Sequence, residues 1–447
     1  MGVSMTRAAD YLSRLYEMLA GYHTIYMDRI RGDNPRAFTR KRKVLPLTVT
    51  VQILTQRGKA QRSEVDTVMR SIGADIEITD VGFYKARMKF DPEAIRRMSY
   101  DFVDSEMLLR KDELSRHGGY FVFAIDGSDV TLPSNIISDR IGKKGPTGTD
   151  GTTEDMPVQC KVSCLSDVLN HLIVRTEVDE YNHDERDHAM KLLKSTPEWL
   201  RKKALVVFDR GYYSIPLILC LEDLGFFYCF RLSSCYLRKE QAQTEVGQVR
   251  DIEVKPTLAS TNGFRDDDEL RKRCLERKFR MRMAKIDIGS EEGPEVLVTN
   301  LPPEDSDAEA MKKIYHCRWD IETAYRVCKK QLELEEFSGR RERLILQDIY
   351  GCMWMYDIIQ LYVLSLDPPA KKWKWKTKIN GNAAAGLMKS NLARAVMHPD
   401  AEERRKASEF LERQIPKYVC PVRPDRKYSR KRCRQKNHSR MSYRRNC

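Results

Sequence analysis

Three acidic residues occupy positions that could build a metal site. Asp126 follows the apolar run FVFAI and Asp209 follows the apolar run ALVVF. Each is therefore expected at the end of a buried strand, at the rim of a sheet where ligands collect. Glu322 lies in a segment with helical periodicity. Carboxylate oxygens suit Mg²⁺ or Mn²⁺, and a pair of such ions can activate a water or a 3′-hydroxyl. Asp129 is an alternative to Asp126 in the first cluster.

The segment YHCRWDIETAYRVCK, residues 315–329, carries polar groups on one helical face. At about 100° per residue, one polar stripe contains Tyr315, Arg318, Glu322 and Lys329, and Trp319 lies beside it. The apolar residues of the same segment form a neighbouring stripe that can pack on a sheet. A salt-bridged surface helix is the alternative, but such a face usually varies more in residue type. We predict that this helix forms the third side of the acidic site.

Basic residues are concentrated in two segments. The 447 residues carry a formal net charge of +14. Residues 36–62 contain eight Lys or Arg and no acid, and residues 423–445 contain eleven Lys or Arg and one acid. Two such segments favour a polyanionic partner, of which nucleic acid is the best candidate. The first segment contains four consecutive basic residues that we predict to contact DNA: Arg40, Lys41, Arg42 and Lys43.

Composition argues against several other classes. No apolar run approaches the length of about 18 residues that a membrane span requires, and the first residues lack the apolar core of a secretion signal. The twelve cysteines form no C-x-x-C pair, which predicts reduced thiols. Cys160 and Cys164, followed by His183 and His188, come nearest to a zinc pattern, with a longer gap than a usual finger. We expect a cytoplasmic protein.

The periodicity of the chain changes several times. Helical patterns precede Gly118, and three β-like runs then suggest an antiparallel meander. The order that follows, helix, strand, helix and strand, predicts a mixed α/β sheet with helices on its faces. Residues 233–295 are polar with short β-like pieces, as in a β insertion. One long helix is predicted over residues 307–333, capped by Asp305 or Ser306. We expect the last part of the chain to be disordered until it meets DNA.

These residues resemble a known family, the DDE transposases of bacterial insertion sequences, in the cut-and-paste branch marked by the pattern Y-x2-R-x3-E-x6-K. The surrounding motifs agree: DGS at Asp126, FDRGYYS around Asp209, RWDIE in the helix and EEFSGR after it. The pattern itself is met, with every spacing kept, by Tyr315, Arg318, Glu322 and Lys329.

The resemblance implies a bacterial protein that associates with the nucleoid when it binds DNA. It also implies a fold and a cofactor. The fold is a ribonuclease H-like mixed sheet with flanking helices, interrupted by a β-rich insertion and preceded by a helical DNA-binding region. Asp126, Asp209 and Glu322 would be the catalytic residues and would hold two Mg²⁺ or Mn²⁺ ions.

The same resemblance implies DNA contacts. Tyr315, Arg318 and Lys329 would contact phosphates of the transposon end, where an arginine can bind in a forked manner. Trp319 would stack near a flipped base if the reaction passes through a DNA hairpin. Arg210, beside the second aspartate, is a weaker candidate for DNA contact.

We therefore predict five regions in the chain. They are a helical N-terminal DNA-binding region (1–115), the first part of the catalytic core (116–232), a β-rich insertion (233–295), the second part of the core (296–367) and a basic C-terminal region (368–447).

The expected function is that of a DNA transposase. It would bind the terminal inverted repeats of its element, act as a homodimer in a synaptic complex, cleave the ends and join the 3′-hydroxyls to target DNA, with no membrane partner. Two alternatives remain: a metal-dependent nuclease on the same fold, and a non-catalytic DNA-binding protein descended from a transposase. The complete acidic triad argues against the second.

Overall fold

The computed structural model describes residues 8–39, 44–56, 61–73, 78–144, 157–264, 267–287, 293–367 and 374–423. Its first helices pack against one another. Proline and capping residues start several of them: Asp91 accepts a hydrogen bond from the Glu93 backbone N–H, with Pro92 in the first turn. These helices are α1 (Ala8–Ile25), α2 (Met27–Arg31), α3 (Pro46–Thr55), α4 (Gln61–Ser71), α5 (Asp80–Arg87) and α6 (Pro92–Leu109).

Nine strands of the described chain form one mixed sheet. They are β1 (Phe121–Thr131), β2 (Lys143–Lys144), β3 (Val158–Asp167), β4 (Leu172–Glu180), β5 (Ala204–Phe208), β6 (Phe227–Arg231), β7 (Val249–Val254), β8 (Phe279–Ile286) and β9 (Glu295–Thr299). Strands β1, β3 and β4 pair antiparallel, and β5 and β6 continue from β1 in parallel. Three antiparallel strands followed by two parallel ones make the ribonuclease H-like arrangement, so the predicted fold class is confirmed.

Helices cover both faces of this sheet. Neighbouring residues of β3 show this, because successive side chains of a strand point to opposite faces. Ser163 contacts His188 of α7 (Glu185–Lys194) on one face. Cys164 contacts Tyr325 of α13 (Asp320–Lys330) on the other face. The helices are α7 (Glu185–Lys194), α8 (Glu198–Arg201), α9 (Ile215–Leu224), α10 (Arg238–Ala242), α11 (Asp268–Glu276), α12 (Ala308–Cys317), α13 (Asp320–Lys330) and α14 (Glu342–Leu364).

The strands between β6 and α12 extend the main sheet. β9 pairs antiparallel with β6, placing Cys229 opposite Thr299, and β8 and β7 follow outward in order. The β-rich segment predicted over residues 233–295 therefore shares its hydrogen bonding with the core sheet. Its helical pieces, α10 and α11, lie in the connections that precede β7 and β8.

The prediction of a single helix over residues 307–333 is wrong, because the chain forms α12 and α13 with a tight turn between them. At this turn the N–H groups of Arg318 and Trp319 bond to the carbonyl oxygens of Tyr315 and His316, three residues earlier, at 3.1 and 3.4 Å. Such three-residue bonds wind the backbone more tightly than an α-helix. The turn changes the angular position of every residue after it relative to those before it.

The predicted cap of this helix is also wrong. The side chain of Asp307 accepts the hydrogen bond from the Ala310 N–H and caps α12. Asp305 accepts the Tyr120 hydroxyl instead, and the Ser306 hydroxyl donates to the Pro302 carbonyl. Both residues predicted as caps therefore make other hydrogen bonds, which a sequence pattern does not reveal.

The C-terminal helices pack with the N-terminal ones. Past α14 the described chain forms β10 (Thr377–Ile379), α15 (Gly381–Met397), α16 (Ala401–Gln414) and β11 (Val419–Pro421). α15 contacts α1, α3 and α16, and its buried face is formed by small and apolar side chains. The part of the chain predicted to order on DNA, beyond residue 423, lies outside the described residues.

Helix α14 lies between the N-terminal helices and the sheet. It contacts α3, α6 and β4, and buried residues occur all around it, with Trp354 fully buried. A helix that is apolar on every side belongs in a core. Among the described helices, none is both long and apolar enough to cross a membrane.

One buried ion pair ties α5 to α14. Arg87 and Asp348 lie 2.7 Å apart, with side chains 0 % and 1 % exposed. Arg87 also donates to Gln347 Oε1 at 3.0 Å and to Ser338 Oγ at 2.6 Å. The pair is fully withdrawn from water, so each charge depends on the other for compensation.

We expect Arg87→Met to lower the free energy of unfolding by about 3 kcal/mol, because it leaves the Asp348 carboxylate buried without its cation. The midpoint of urea denaturation measures this change. Lys202→Met, which breaks an exposed pair with Glu198, is the control and should change stability by less than about 0.5 kcal/mol. Equal effects of the two substitutions would contradict the prediction.

Candidate active site

The register of the sheet brings the two aspartates together. Parallel pairing places Phe121 opposite Ala204 and Ala124 opposite Val207. Two residues further along, Asp126 is level with Asp209, the first residue after β5. The expectation that Asp126 ends its strand is wrong, since β1 continues to Thr131 against β3. The rim exists because β5 ends, which leaves β1 projecting beyond it.

Helix α13 holds Glu322 next to this rim. The hydroxyl of Tyr325 donates to the backbone carbonyl of Asp126 at 2.7 Å, and the Val162 carbonyl lies 3.1 Å away. Tyr325 is buried, so this contact is a fixed link between the helix and the strand. Glu322 lies one helical turn earlier on the same face and is exposed. The geometry thus brings Asp126, Asp209 and Glu322 to one place.

Arg318 lies between the acidic groups. Its Nη1 is 3.7 Å from Asp126 Oδ2 and its Nη2 is 3.4 Å from Glu322 Oε1. Only 5 % of the residue is exposed. The sequence reasoning assigned this guanidinium to DNA phosphates, whereas in this structure its partners are carboxylates.

Tyr315 is directed at the second aspartate. Its hydroxyl donates to Asp209 Oδ1 at 3.0 Å, and the residue is buried. Arg231 Nη1 lies 3.7 Å from the same oxygen, while Arg231 Nη2 pairs with Glu295 at 2.7 Å. Tyr315 therefore orients a carboxylate here, in place of the phosphate contact expected of it.

Lys329 is bound at the far end of β1. Its Nζ donates to the backbone carbonyl of Asp129 and lies 3.8 Å from Glu335. The carboxylate of Asp129 is 2.6 Å from Lys161. Residues 126 and 129 point to opposite faces of the strand, so Asp126 is the aspartate that shares a face with α13. The geometry favours Asp126 over Asp129.

The remaining predicted DNA contacts lie at the surface or beyond the described chain. Trp319 is 42 % exposed at the turn between α12 and α13, and the Arg318 guanidinium carbon is 5.8 Å from its ring centroid. Arg210 is exposed beside Asp209. The basic run lies outside the described residues: Arg40, Lys41, Arg42 and Lys43.

A fourth carboxylate, Glu185, was missed by the sequence reasoning. It lies in the first turn of α7, where acidic residues are expected for their interaction with the helix dipole alone. It accepts the Tyr212 hydroxyl at 2.8 Å and pairs with Lys161 at 3.1 Å. A Cβ at Gly127 would lie 2.5 Å from Glu185 Oε1, so the glycine after Asp126 makes room for this carboxylate. The motif DGS was the available signal.

The two aspartates have opposite electrostatic environments. Burial raises the pKa of Asp126 to about 7; the charges of Glu185 and Glu322 add to this rise and the charge of Arg318 opposes it. Burial also acts to raise the pKa of Asp209. There the following backbone N–H, the nearby guanidinium groups and a tyrosine hydroxyl outweigh burial and lower the pKa. At Asp126 burial outweighs the nearby positive charge, whereas at Asp209 the hydrogen bonds and positive charges outweigh burial.

A family model described as the transposase DDE domain matches residues 117–358. The chain belongs to the transposase DDE domain family. This membership confirms the enzyme class predicted from the motifs, a DDE transposase. Among solved structures, the chain is similar to a piggyBac transposase synaptic complex with hairpin DNA determined by cryo-EM. The identity is 11 % and the TM-score 0.43, over 92 % of this chain and 87 % of that chain. No curated protein matches the chain.

The acidic site of this transposase fits a hard divalent cation. Its donors are carboxylate oxygens on β1, directly after β5 and on α13, the ligands that Mg²⁺ and Mn²⁺ prefer. Burial is the main cause of the raised pKa of Asp126, and the charge of Arg318 does not offset it. A bound cation would lower the cost of keeping that carboxylate ionised.

The pH dependence of stability tests this electrostatic picture. Because the pKa of Asp126 is higher in the folded than in the unfolded chain, its contribution to stability is present at low pH. That contribution is lost as pH rises from about 4 to about 7. Asp126→Asn cannot ionise, so in metal-free buffer we expect its Tm to exceed that of wild type by on the order of a few degrees near neutral pH. The gap should shrink toward about pH 5.

Thermal unfolding between about pH 5 and about pH 8 measures the gap. Asp33→Asn, the same chemical change at an exposed turn, is the control and should show no such widening. A gap that is independent of pH would contradict the prediction.

Proposed function

We propose that this chain is a DNA transposase of the bacterial insertion-sequence type, in the branch marked by Y-x2-R-x3-E-x6-K. It binds the terminal inverted repeats of its element, cleaves the ends and joins the 3′-hydroxyls to target DNA. One observation carries the proposal. In a chain of the transposase DDE domain family, strand register aligns Asp126 with Asp209, and the Tyr325 hydroxyl ties the helix of Glu322 to the same point.

The catalytic residues of the proposal are Asp126, Asp209 and Glu322. DDE transposases use divalent metal ions, and these three carboxylates would hold two Mg²⁺ or Mn²⁺ ions. When bound, such ions supply an activated oxygen nucleophile and neutralise the leaving oxygen. The protein's own part is to keep the three carboxylates together against their mutual repulsion.

Tyrosines position the carboxylates. The Tyr315 hydroxyl holds Asp209 from the side of α12, and Tyr325 fixes the backbone of Asp126 from α13. Both residues are buried, so their hydroxyls are directed by packing. Small displacements of reacting groups cost large factors in rate, which makes these two links part of the catalytic arrangement.

Arg318 has two kinds of partner in the proposal, carboxylates of the protein and a phosphate of the DNA. Without DNA, its guanidinium balances Asp126 and Glu322. When cations occupy the carboxylates, the planar donors of Arg318 are available to a phosphate of the transposon end, which an arginine binds in a forked manner. Arg318 would then face the negative charge of the substrate phosphate instead of the charges of the two carboxylates.

The surface around the site supplies the remaining DNA contacts. Trp319, exposed at the rim, stacks on a base drawn out of the duplex. Arg210, exposed beside Asp209, and Lys329 contact phosphates. The basic run contributes to recognition of the repeats: Arg40, Lys41, Arg42 and Lys43. Two copies of the chain assemble on the paired ends in a synaptic complex.

Cleavage of transposon ends tests the catalytic assignment. The substrate is a duplex carrying the inverted repeat found beside the gene, and purified protein is assayed with Mg²⁺. We expect Asp126→Asn to lower cleavage by at least about 100-fold with end binding unchanged in a gel-shift assay. Asp129→Asn is the matched control, because its carboxylate faces Lys161, and it should retain cleavage within about tenfold of wild type.

Two other outcomes separate the alternative functions. Wild-type protein that binds the ends and never cuts them is a DNA-binding descendant of a transposase. Protein that cuts the ends but does not join a pre-cut 3′-hydroxyl end to plasmid DNA is a nuclease. Loss of cleavage in Asp129→Asn with full activity in Asp126→Asn would overturn the choice of aspartate.

A further inference from the structure

A second group of potential metal ligands lies at the connection between β4 and α7. Asp179, His183 and His188 each offer one ligand atom, and these atoms all lie within 4.8 Å of one another. Asp179 Oδ2 is 3.8 Å from His183 Nδ1 and 4.0 Å from His188 Nε2. The two imidazole rings stack with their centroids 4.4 Å apart.

The local fold explains why these residues meet. β4 ends at Glu180, the chain turns, and Asp184 caps α7 by accepting from the Arg186 N–H. Asp179 therefore lies at the end of the strand, His183 just before the cap and His188 in the helix. Of the sequence pattern that came nearest to a zinc site, only the histidines take part. Cys164 is buried on the opposite face of β3, against Tyr325.

His188 is the anchor of the group. It is fully buried, and its Nδ1 lies 2.8 Å from the Ser163 hydroxyl. Its Nε2 is buried and has no hydrogen-bond partner among the described residues. A buried polar atom without a partner is costly. If Nδ1–H donates to Ser163, Nε2 carries a lone pair directed at Asp179, which is the tautomer that a metal ligand needs.

The two oxygens of Asp179 have different surroundings. Oδ1 accepts from the Glu180 N–H at 3.0 Å and faces Arg140 at 3.5 Å. Oδ2 faces the histidines, and Lys191 Nζ lies 4.0 Å from it. Lys191 is 52 % exposed and can move into solvent. One oxygen is thus held by neighbours that orient the carboxylate, and the other is directed at the two rings.

We propose that Asp179, His183 and His188 bind one Zn²⁺ ion at a site separate from the acidic centre. Two imidazole nitrogens and one carboxylate oxygen form a donor set that suits zinc, with water as a fourth ligand. Tetrahedral ligands at about 2.0–2.1 Å lie roughly 3.4 Å from each other. The two separations from Asp179, 3.8 and 4.0 Å, need to shorten by about half an ångström. The ligand atoms of the two histidines lie within 4.8 Å of each other, and side-chain rotation would have to bring them closer.

The position of the ion gives it a structural role. Bound there, it joins the end of β4 to α7, the helix that carries Glu185 one turn before His188. Glu185 lies against Gly127, next to Asp126. The ion therefore stabilises α7 behind the active site without contacting the reacting groups.

Metal uptake by untagged full-length protein tests the site. The protein is stripped with a chelator, dialysed against Zn²⁺ in the presence of excess Mg²⁺, which occupies the carboxylate centre, and its metal content is measured. We expect about one equivalent of Zn²⁺ in wild type. Co²⁺ in place of Zn²⁺ should give visible absorption bands of a tetrahedral ion. Zn²⁺ should also raise the Tm of wild type.

Substitutions at His183 and Asp179, which are partly exposed, test the site with less risk of misfolding than substitutions at the buried His188. His183→Ala and Asp179→Asn should bind Zn²⁺ at least about tenfold more weakly and lose the Co²⁺ bands, while their Tm without metal stays close to wild type. His398→Ala, a histidine remote from the group, should behave like wild type. Wild type without zinc uptake, or His183→Ala with unchanged uptake and spectrum, would overturn the proposal.

Discussion

Repulsion among carboxylates at one point of the sheet is the constraint that the surrounding structure has to satisfy. Positive groups from three separate elements oppose it: Arg318 from the turn between α12 and α13, Arg231 from β6 and Lys161 from β3. Strand order, strand length and helix placement all serve to bring these charges to one rim. At Asp126 these positive groups do not offset the effect of burial, which raises the pKa of that carboxylate to about 7. The carboxylates concerned are Asp126, Asp209, Glu322 and Glu185.

The turn between α12 and α13 solves a geometric problem. A straight helix would hold Tyr315 and Tyr325 at a fixed relative angle. With the tight turn between them, Tyr315 reaches the aspartate after β5 and Tyr325 reaches the backbone of β1. Arg318, at the turn itself, lies between the two strands. The change in angular position lets one segment contact both β1 and the residue after β5, and Trp319 is exposed at the rim.

The acidic rim is supported from behind by two other regions. Helix α14 is buried on all sides and links the sheet to the N- and C-terminal helices, with the Arg87–Asp348 pair inside that contact. On the opposite face, α7 carries both Glu185 and His188. The proposed zinc site would fix the start of α7 after the turn that follows β4. Glu185 would then be held in place by the same helix that carries the zinc ligand His188.

Residue types and their spacing were enough to predict the strands, the α/β class and the transposase family, because apolar runs mark buried strands and the acidic motifs are local patterns. The catalytic role of the acidic triad and the insertion-sequence branch stay predictions. The choice of Asp126 over Asp129, the carboxylate partners of Arg318 and Tyr315, and the contribution of Glu185 depend on contacts between distant parts of the chain. Strand register and the side of the strand on which a residue lies decide such contacts. The tight turn at Arg318 could not be predicted from the sequence either, since the segments before and after it both have helical periodicity. Only the tertiary structure, which packs each half against a different strand, determines where the helix turns.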